Sequence, residues 1–236
     1  MNSPTISYAI PVCNEVHDVQ SLLESLIPVA EETDEIVVQV DSTKSEYSII
    51  VWNITEIRED FKCPLKIIYY EFDNDFAALK NNLIENCTKD YIFQIDADER
   101  LGGGLLTAVK ELLMDHPDVD VFHLPRINTV IGITDDYIRK MNWRTLECPL
   151  WPHGELLINF PDYQMRLWKN NIGISWQGKV HERLVGDIYH YSFLLDLIDE
   201  RPPYDDSMWE IIGQWSIIHH KTFARQVRQN ELYDNI

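Results

Sequence analysis

The chain has 236 residues, of which 45% are hydrophobic and 11% aromatic, and its formal net charge is −19. This composition is typical of a folded protein with a substantial core and excludes a disordered chain. The strong negative charge argues against nucleic acid as the main partner, because binding to a phosphate backbone needs a basic face.

The first half alternates strand-like and helix-like segments. Apolar runs predict strands over residues 6–10, 35–40, 65–70 and 91–95, the first of them ended by Pro11. Helical periodicity predicts a helix after each strand: Asn14 caps the first, Asp75 opens the third, and the last covers 105–114. Such alternation indicates βαβ units and a mostly parallel sheet.

The second half is less regular. We expect a strand over 119–124, a hairpin formed by 163–168 and 172–176, and a terminal helix over 222–233. The segment 128–159 has no clear period and predicts a functional loop or lid. Since no repeat or linker interrupts the chain, we expect a single domain over 1–236.

Two carboxylates, Asp96 and Asp98, follow the predicted strand 91–95 directly. Unpaired charge is expensive to bury, whereas carboxylates suit a hard divalent cation that also takes phosphate oxygens. Asp41 and Asp75 fall at or just beyond the ends of two other strands. Ligands bind at the carboxyl ends of parallel strands, so this edge is the predicted metal–diphosphate site.

Several segments, in order, resemble motifs of the family 2 glycosyltransferases of the GT-A fold. They are IPVCNE at 10–15, VDST at 40–43, NDFAALKN at 74–81, DADE at 96–99, and QMRLWK at 164–169 with GKVHE at 178–182. The last pair, with HKTF at 220–223, is similar to a subgroup that builds lipopolysaccharide cores. The resemblance implies a Rossmann-like, mostly parallel sheet flanked by helices, with a nucleotide-binding half over about 1–118 and an irregular acceptor-side half over about 119–236.

The resemblance implies transfer of a sugar from a nucleoside-diphosphate-sugar to a hydroxyl of a glycan, a lipid-linked glycan or a protein, usually with inversion. It places the following residues around the donor: Pro11, Asn14, Glu15, Asp41, Asp75, Lys80, Asp96, Ala97 and Arg166, the last as a clamp on the diphosphate. Lys80 stands where the family pattern usually has arginine. Asp96 and Asp98 would hold Mn²⁺ or Mg²⁺, with His181 or His220 as a candidate third ligand.

Inversion needs a base that takes the acceptor proton. The E-D pair that usually supplies it in the family is not found in the expected place, and Glu182 is our first candidate. The alternative role for Glu182 is an ion pair with Arg183 or Arg166. Asp162 and Glu155 are the remaining candidates for the base.

Four tryptophans lie in the second half: Trp143, Trp151, Trp168 and Trp176. They fit either an acceptor groove, because sugar rings stack on aromatic faces, or packing in the core.

Two other functions stay open. A nucleotidyltransferase uses a similar sheet and acidic pair, but the loop after the first strand, 11–15, has neither the glycine nor the cation that such enzymes carry there. A catalytically inactive glycan- or nucleotide-binding module would explain the missing E-D pair. The four cysteines are widely spaced, and neither a leader nor a stretch of membrane-spanning length is seen, so we expect a cytoplasmic protein without a transmembrane segment.

Overall fold

A computed structural model describes residues 3–148, 156–197 and 204–234. The first strands and helices alternate as follows: β1 Ile6–Val12, α1 Val16–Leu26, β2 Glu35–Asp41, α2 Tyr47–Glu56, a short 3-10 helix Arg58–Asp60, β3 Leu65–Tyr70, α3 Phe76–Glu85 and β4 Tyr91–Gln94. The described part continues with β5 Glu99–Leu101, α4 Gly103–Thr107, α5 Val109–Asp115, β6 Val121–Leu124, β7 Arg126–Ile131, α6 Asp135–Met141, β8 Thr145–Glu147, β9 Leu156–Ile158, β10 Gln164–Lys169, β11 Ser175–Gln177, β12 Arg183–Val185, β13 Tyr191–Phe193, α7 Leu194–Leu197, α8 Asp206–Gln214, β14 Ile217–Thr222 and α9 Phe223–Asp234.

The chain forms two compact units. The first contains residues 1–99, 106–122 and 165–191, and the second contains 100–105, 123–164 and 192–236. The segment 165–191 therefore packs with the amino-terminal strands, although it is distant from them in sequence. None of the described helices combines the length and the apolar character that a membrane crossing requires.

The first unit is built on a mostly parallel sheet. Its strands β10, β4, β1, β2 and β3 lie side by side in this order, and β1, β2, β3 and β4 pair in parallel. Strand β10 is antiparallel to β4, with Leu167 opposite Phe93. The fold class is therefore α/β, a mostly parallel sheet flanked by helices, as the sequence predicts.

One face of this sheet packs against α3 and the strand β11. Its buried cluster includes Val37, Ile92, Leu83, Trp168 and Trp176. Residues two positions apart on a strand share a face, so the polar side chains that follow Val37 and Ile92 in the strands continue this face toward the carboxyl edge of the sheet. The packing of the apolar residues in the middle of this face therefore determines where the polar side chains lie at the carboxyl edge of the sheet.

Strand β1 runs through Pro11, which we expected to end it. Ala9 accepts a hydrogen bond from Ile95 of the neighbouring chain segment, so the odd-numbered residues of β1 face β4. Strand β4 ends at Gln94, opposite Ala9. The N–H that Pro11 lacks would therefore point past the end of β4, and its absence removes no ladder hydrogen bond.

The predicted hairpin of 163–168 and 172–176 is wrong. Strand β10 pairs with β4, and β11 pairs with β12, where Trp176 lies opposite Leu184. Burial decides this pairing, because Trp168 on β10 lies opposite Ile92 within the apolar cluster.

The second unit contains regular structure where we expected a loop over 128–159. Strands β14, β7, β9 and β8 lie side by side, and β7 pairs in parallel with β14, which is about ninety residues further along the chain. A buried cluster of Ile127, Leu157, Phe160, Trp209 and Ile212 supports them. Residues 149–155 of the expected loop, Trp151 included, lie outside the described part. The helix predicted over 105–114 is divided at Ala108 into α4 and α5.

Candidate functional site

The candidate site is the carboxyl edge of the parallel strands in the first unit. Strand β2 ends at Asp41, and β4 leads directly into Asp96 and Asp98. Strand β1 lies between them, and the loop after it carries Asn14 and Glu15. The strand order thus brings Asp41 to the same edge as Asp96, which lies 55 positions further along the chain.

Asp41 is 1% exposed and heavily hydrogen-bonded. Its Oδ1 accepts from the Thr43 N–H (3.0 Å), the Thr43 hydroxyl (2.7 Å) and the Phe72 N–H (3.3 Å). Its Oδ2 lies 3.6 Å from both the Cys13 Sγ and the Lys44 Nζ. Burial raises the pKa of Asp41, but these donors outweigh burial and hold the pKa below its ordinary value. Asp41 is therefore an ionised carboxylate that also ties three chain segments together.

The loop after β1 is fixed by Glu15. Its carboxylate accepts from the Cys13 N–H (2.8 Å) and the Asn14 N–H (2.9 Å). Helix α1 begins after Glu15, and no side-chain cap is formed, so the predicted capping role of Asn14 is wrong. The Asn14 side chain is instead exposed, and Pro11 is half-buried.

Asp75 opens α3 as predicted and accepts from the Ala78 N–H (2.9 Å). One turn further on, the Lys80 ammonium pairs with the Glu182 carboxylate and lies 4.5 Å from the centre of the Trp176 ring. The Asn81 amide fixes the same tryptophan, since it donates to the Trp176 carbonyl (2.9 Å) and accepts from its N–H (2.7 Å).

Arg166 and Glu99 fix the turn after β4, residues 96–99, by hydrogen bonds. The Arg166 Nη2 donates to Asp96 and, at 2.8 Å, to Glu99. Glu99 also accepts from the Asp96 N–H (3.0 Å). Ala97 is buried at 2% exposure, whereas Asp96 and Asp98 on either side of it are half-buried. The turn therefore presents two carboxylates around an anchored alanine.

These carboxylates suit Mg²⁺ or Mn²⁺ in chemistry, because both are hard oxygen donors. No group of three or more His, Cys, Asp or Glu side chains in the described ranges is arranged to hold a metal ion by itself. A cation here would complete its coordination with water and phosphate oxygens. His181 lies in an exposed turn with φ +52°, and His220 is an exposed residue of β14 whose Nδ1 is hydrogen-bonded to Thr129. Their metal roles stay predictions.

The candidates for the base have different surroundings. Glu182 is paired with Lys80, so an ion pair does form, but with a partner that the sequence did not suggest. Asp162, in the second unit, accepts from Arg126 Nε (2.9 Å) and Nη2 (2.8 Å), from Asn128 and from Gln164 (3.2 Å). A carboxylate with donors from three side chains is poorly placed to take a proton. Glu155 lies outside the described residues.

Two of the four tryptophans are core residues. Trp168 is 1% exposed and Trp176 is 6% exposed, and their rings contact each other at 6.1 Å. Of the two roles considered for the tryptophans, core packing therefore applies to Trp168 and Trp176, and the acceptor-groove role is wrong for both. Trp143 is half-buried and makes an edge contact with Tyr137 at 5.8 Å.

Sequence reasoning gave no role to Glu99 or Asn81. Glu99 stands three residues after Asp96, the spacing at which a glutamate reaches back to a backbone N–H. That spacing could have indicated its role. The contact of Asn81 with Trp176 spans 95 residues, and no local pattern reveals it.

Comparison with known proteins gives a family match over most of the chain. The model of "Glycosyl transferase family 2" matches residues 7–177. The SPbeta prophage-derived glycosyltransferase SunS of Bacillus subtilis (strain 168) is 33% identical over 97 residues, which are 41% of this chain and 21% of SunS. The chain thus matches about a fifth of the length of this curated relative.

Solved structures give weaker similarities. S. aureus TarS 1-349 in complex with UDP-GlcNAc aligns with a TM-score of 0.49 at 14% identity, over 93% of this chain and 56% of that one. The mannosyltransferase PcManGT from Pyrobaculum calidifontis, in complex with GDP-Man and Mn²⁺, aligns with a TM-score of 0.45 at 20% identity, over 67% of this chain and 45% of that one.

The family match covers the whole carboxyl edge described above, from β1 through the 96–99 turn to β11. The sheet flanked by helices agrees with the GT-A fold that the sequence motifs implied. The chain belongs to glycosyl transferase family 2.

Proposed function

We propose that this chain is a glycosyltransferase that moves a sugar from a nucleoside-diphosphate-sugar to an acceptor hydroxyl, with inversion and with Mn²⁺ or Mg²⁺. The observation that carries the proposal is the convergence of Asp41, Asp96 and Asp98 on one sheet edge in a chain of glycosyl transferase family 2. In open α/β sheets, this edge is where ligands bind.

The nucleoside is proposed to lie over the ends of β1 and β2. The ionised Asp41 offers acceptor oxygens for a base N–H or a ribose hydroxyl, and the exposed Asn14 amide offers both a donor and an acceptor. Glu15 contributes indirectly, because it holds the Cys13 and Asn14 backbone in place. Asp75 and Lys80 at the start of α3 are proposed to border the same pocket.

The diphosphate is proposed to lie over the 96–99 turn. When bound, a divalent cation would neutralise the leaving nucleoside diphosphate as a Lewis acid. Asp98 would be its more direct ligand and Asp96 the second. The anchored Ala97 fixes the spacing of the two carboxylates, and a fixed carboxylate needs little reorganisation to bind its ligand.

Glu182 is our proposed base. Its side chain is 16% exposed and pairs with Lys80, whose ammonium lies over the Trp176 ring. The Lys80 ammonium occupies one of its oxygens, so the acceptor hydroxyl would have to meet the other oxygen or displace Lys80. A purely structural role for the ion pair predicts instead that substitution of either partner lowers activity only in proportion to the stability that is lost.

The acceptor is proposed to be a glycan. The support is the likeness of residues 164–169 and 178–182 to the lipopolysaccharide-core-type subgroup. A reducing, cytoplasmic setting is part of the proposal, because all four cysteines are free thiols.

The test is turnover. Purified protein is incubated with UDP-, GDP-, ADP- and CMP-linked sugars and a panel of glycan acceptors, with Mn²⁺ or with EDTA, and nucleotide release is measured. We expect acceptor-stimulated release from one donor class that stops in EDTA, and NMR of the product should show an inverted anomeric centre. In a parallel incubation, nucleoside triphosphates replace the sugar nucleotides. Release of pyrophosphate there would indicate nucleotidyl transfer instead. Donor binding without release under any condition would favour an inactive binding module.

A further inference from the structure

We infer that Arg166 and Glu99 are positioning residues that hold Asp96, and that Arg166 acts through Asp96 and does not itself bind the donor phosphates. The inference rests on the proposed function, since it concerns how the metal–diphosphate site is built. It replaces the clamp role that the sequence motif implies for Arg166.

The first observation is the burial and commitment of the Arg166 guanidinium. The residue is 3% exposed, and its Nη2 donates to both Asp96 and Glu99. The Nε atom is buried, and no described residue accepts from it. The hydrogen bonds that the guanidinium makes are therefore directed at the two carboxylates of the 96–99 turn.

The second observation is that Glu99 hydrogen-bonds with the backbone of Asp96. Glu99 is 0% exposed, and it accepts from Arg166 (2.8 Å) and from the Asp96 N–H (3.0 Å). Its own N–H donates to the Asp96 carbonyl (2.9 Å). Arg166 therefore fixes the side chain of Asp96 and Glu99 fixes its backbone, while the Asp96 side chain keeps 31% exposure.

The register explains why these groups meet. Strand β10 runs antiparallel to β4 with Leu167 opposite Phe93, so Arg166 continues the ladder opposite Gln94. Asp96 follows Gln94 by two residues and lies on the same face. An arginine at position 166 thus reaches under the turn, and a shift of one residue would point it to the other face.

Electrostatics separates a positioning role of Arg166 from a phosphate-binding role. If Arg166 turned toward a phosphate, the buried Glu99 carboxylate would lose its hydrogen-bonded ion pair with Arg166. Breaking a buried ion pair is strongly unfavourable. A phosphate contact from one guanidinium would have to repay that loss before it added any affinity, so the paired arrangement is retained in the donor complex.

Substitutions that remove each partner test the inference. We would compare the wild type with Arg166→Lys, Glu99→Gln and Lys169→Met. Lys169 is the matched control, because it is a cation on the same strand whose partner is Asp120 (3.0 Å). Binding of Mn²⁺ alone is followed by electron paramagnetic resonance, and binding of UDP and GDP is measured in EDTA. Far-UV circular dichroism checks that each variant is folded.

A positioning role predicts that Arg166→Lys and Glu99→Gln each weaken Mn²⁺ binding by about 10- to 100-fold, the usual range for residues that orient a metal ligand. Binding of nucleotide in EDTA should change less than about twofold, and Lys169→Met should behave as wild type. Because Glu99→Gln keeps the shape of the side chain, it tests the inference even if the Arg166 variant does not fold.

A clamp role predicts the opposite pattern: Arg166→Lys would lose nucleotide binding in EDTA, and Glu99→Gln would keep its Mn²⁺ affinity. That result would overturn the inference and leave the proposed function intact. A wild type that binds no Mn²⁺ would instead refute the metal dependence in the proposed function, and the inference with it.

Discussion

The ion pair of Lys80 and Glu182 allows a quantitative prediction. Their side chains are 10% and 16% exposed, and the Lys80 ammonium also faces the Trp176 ring at 4.5 Å. Removal of one member of a buried pair costs about 3–5 kcal/mol. The residual exposure and a cation–π contact worth about 1–2 kcal/mol reduce this for Glu182→Gln. We therefore expect Glu182→Gln to lower the free energy of unfolding by about 2–3 kcal/mol.

The assay is a double-mutant cycle of Lys80→Met and Glu182→Gln, with urea unfolding followed by tryptophan fluorescence. We expect the double variant to be more stable than the sum of the single losses predicts, by at least about 1 kcal/mol. Single losses that add within about 0.5 kcal/mol would refute a direct interaction between these side chains.

The same variants separate the structural role of Glu182 from catalysis. If Glu182 is the base, Glu182→Gln should lower kcat by about 10²- to 10⁴-fold while donor binding is kept, whereas Lys80→Met should weaken donor binding and lower kcat much less. Equal losses of activity in both variants, in proportion to lost stability, would place the base elsewhere.

Three further predictions concern the packing and titration of single residues. Gly102→Ala should lower the free energy of unfolding by about 1–3 kcal/mol or more, because the new methyl would lie 2.2 Å from the Gly213 carbonyl oxygen. The matched variant Gly213→Ala meets no atom within 4 Å and should be neutral or stabilising by up to about 1 kcal/mol. Urea unfolding measures both, and an unchanged stability of Gly102→Ala would contradict the close approach of the two glycines. The pKa of Asp41 is held below its ordinary value of 3.8, so its ionised form stabilises the fold above that value, and this stability is lost as the pH falls through the lower folded pKa. The stability difference between the wild type and Asp41→Asn should therefore shrink between pH 5 and pH 3. A difference that stays constant over this range would be inconsistent with a lowered pKa of Asp41. Burial, assisted by the Glu15 charge, raises the pKa of the Cys13 thiol to about 12. Iodoacetamide at pH 7.5 should therefore label Cys13 about a thousandfold more slowly than an ordinary cysteine, as followed by peptide mass spectrometry. Labelling at an ordinary rate would show that the pKa of this thiol is not raised.

The sequence predicts the parallel strands well because their signals are local. The runs that form β2, β3 and β4 are apolar and bounded by polar residues, and Asp75 caps α3 with a hydrogen bond to a residue three positions away. The acidic edge follows from these strands by a general rule for parallel sheets.

The features that the sequence did not predict depend on distant partners. Strand β7 is stabilised by β14, and β10 pairs with β4 where we expected a local hairpin with residues 172–176. The Lys80–Glu182 pair spans 102 residues, and the Arg166–Asp96 pair spans 70. Periodicity and capping patterns extend over a few residues, so they reveal the elements of a site but not which buried charges compensate each other.

A metal-dependent nucleoside-diphosphate site that includes Asp98 is central to the proposed function. The most direct measurement is the melting temperature of the wild type and Asp98→Ala with UDP, GDP, ADP, CMP and the corresponding nucleoside triphosphates, each with Mn²⁺ and with EDTA. The exposed Asp118→Ala is the matched control.

At a ligand concentration of 100 times Kd, mass action adds about 2.7 kcal/mol, which is about 5–10 °C for a chain of this size. We predict such a shift for one nucleoside diphosphate with Mn²⁺ in the wild type and in Asp118→Ala, and a much smaller shift in EDTA and in Asp98→Ala, where only the weaker metal-free binding remains. An equal shift in Asp98→Ala, or a shift only with a nucleoside triphosphate, would contradict the account.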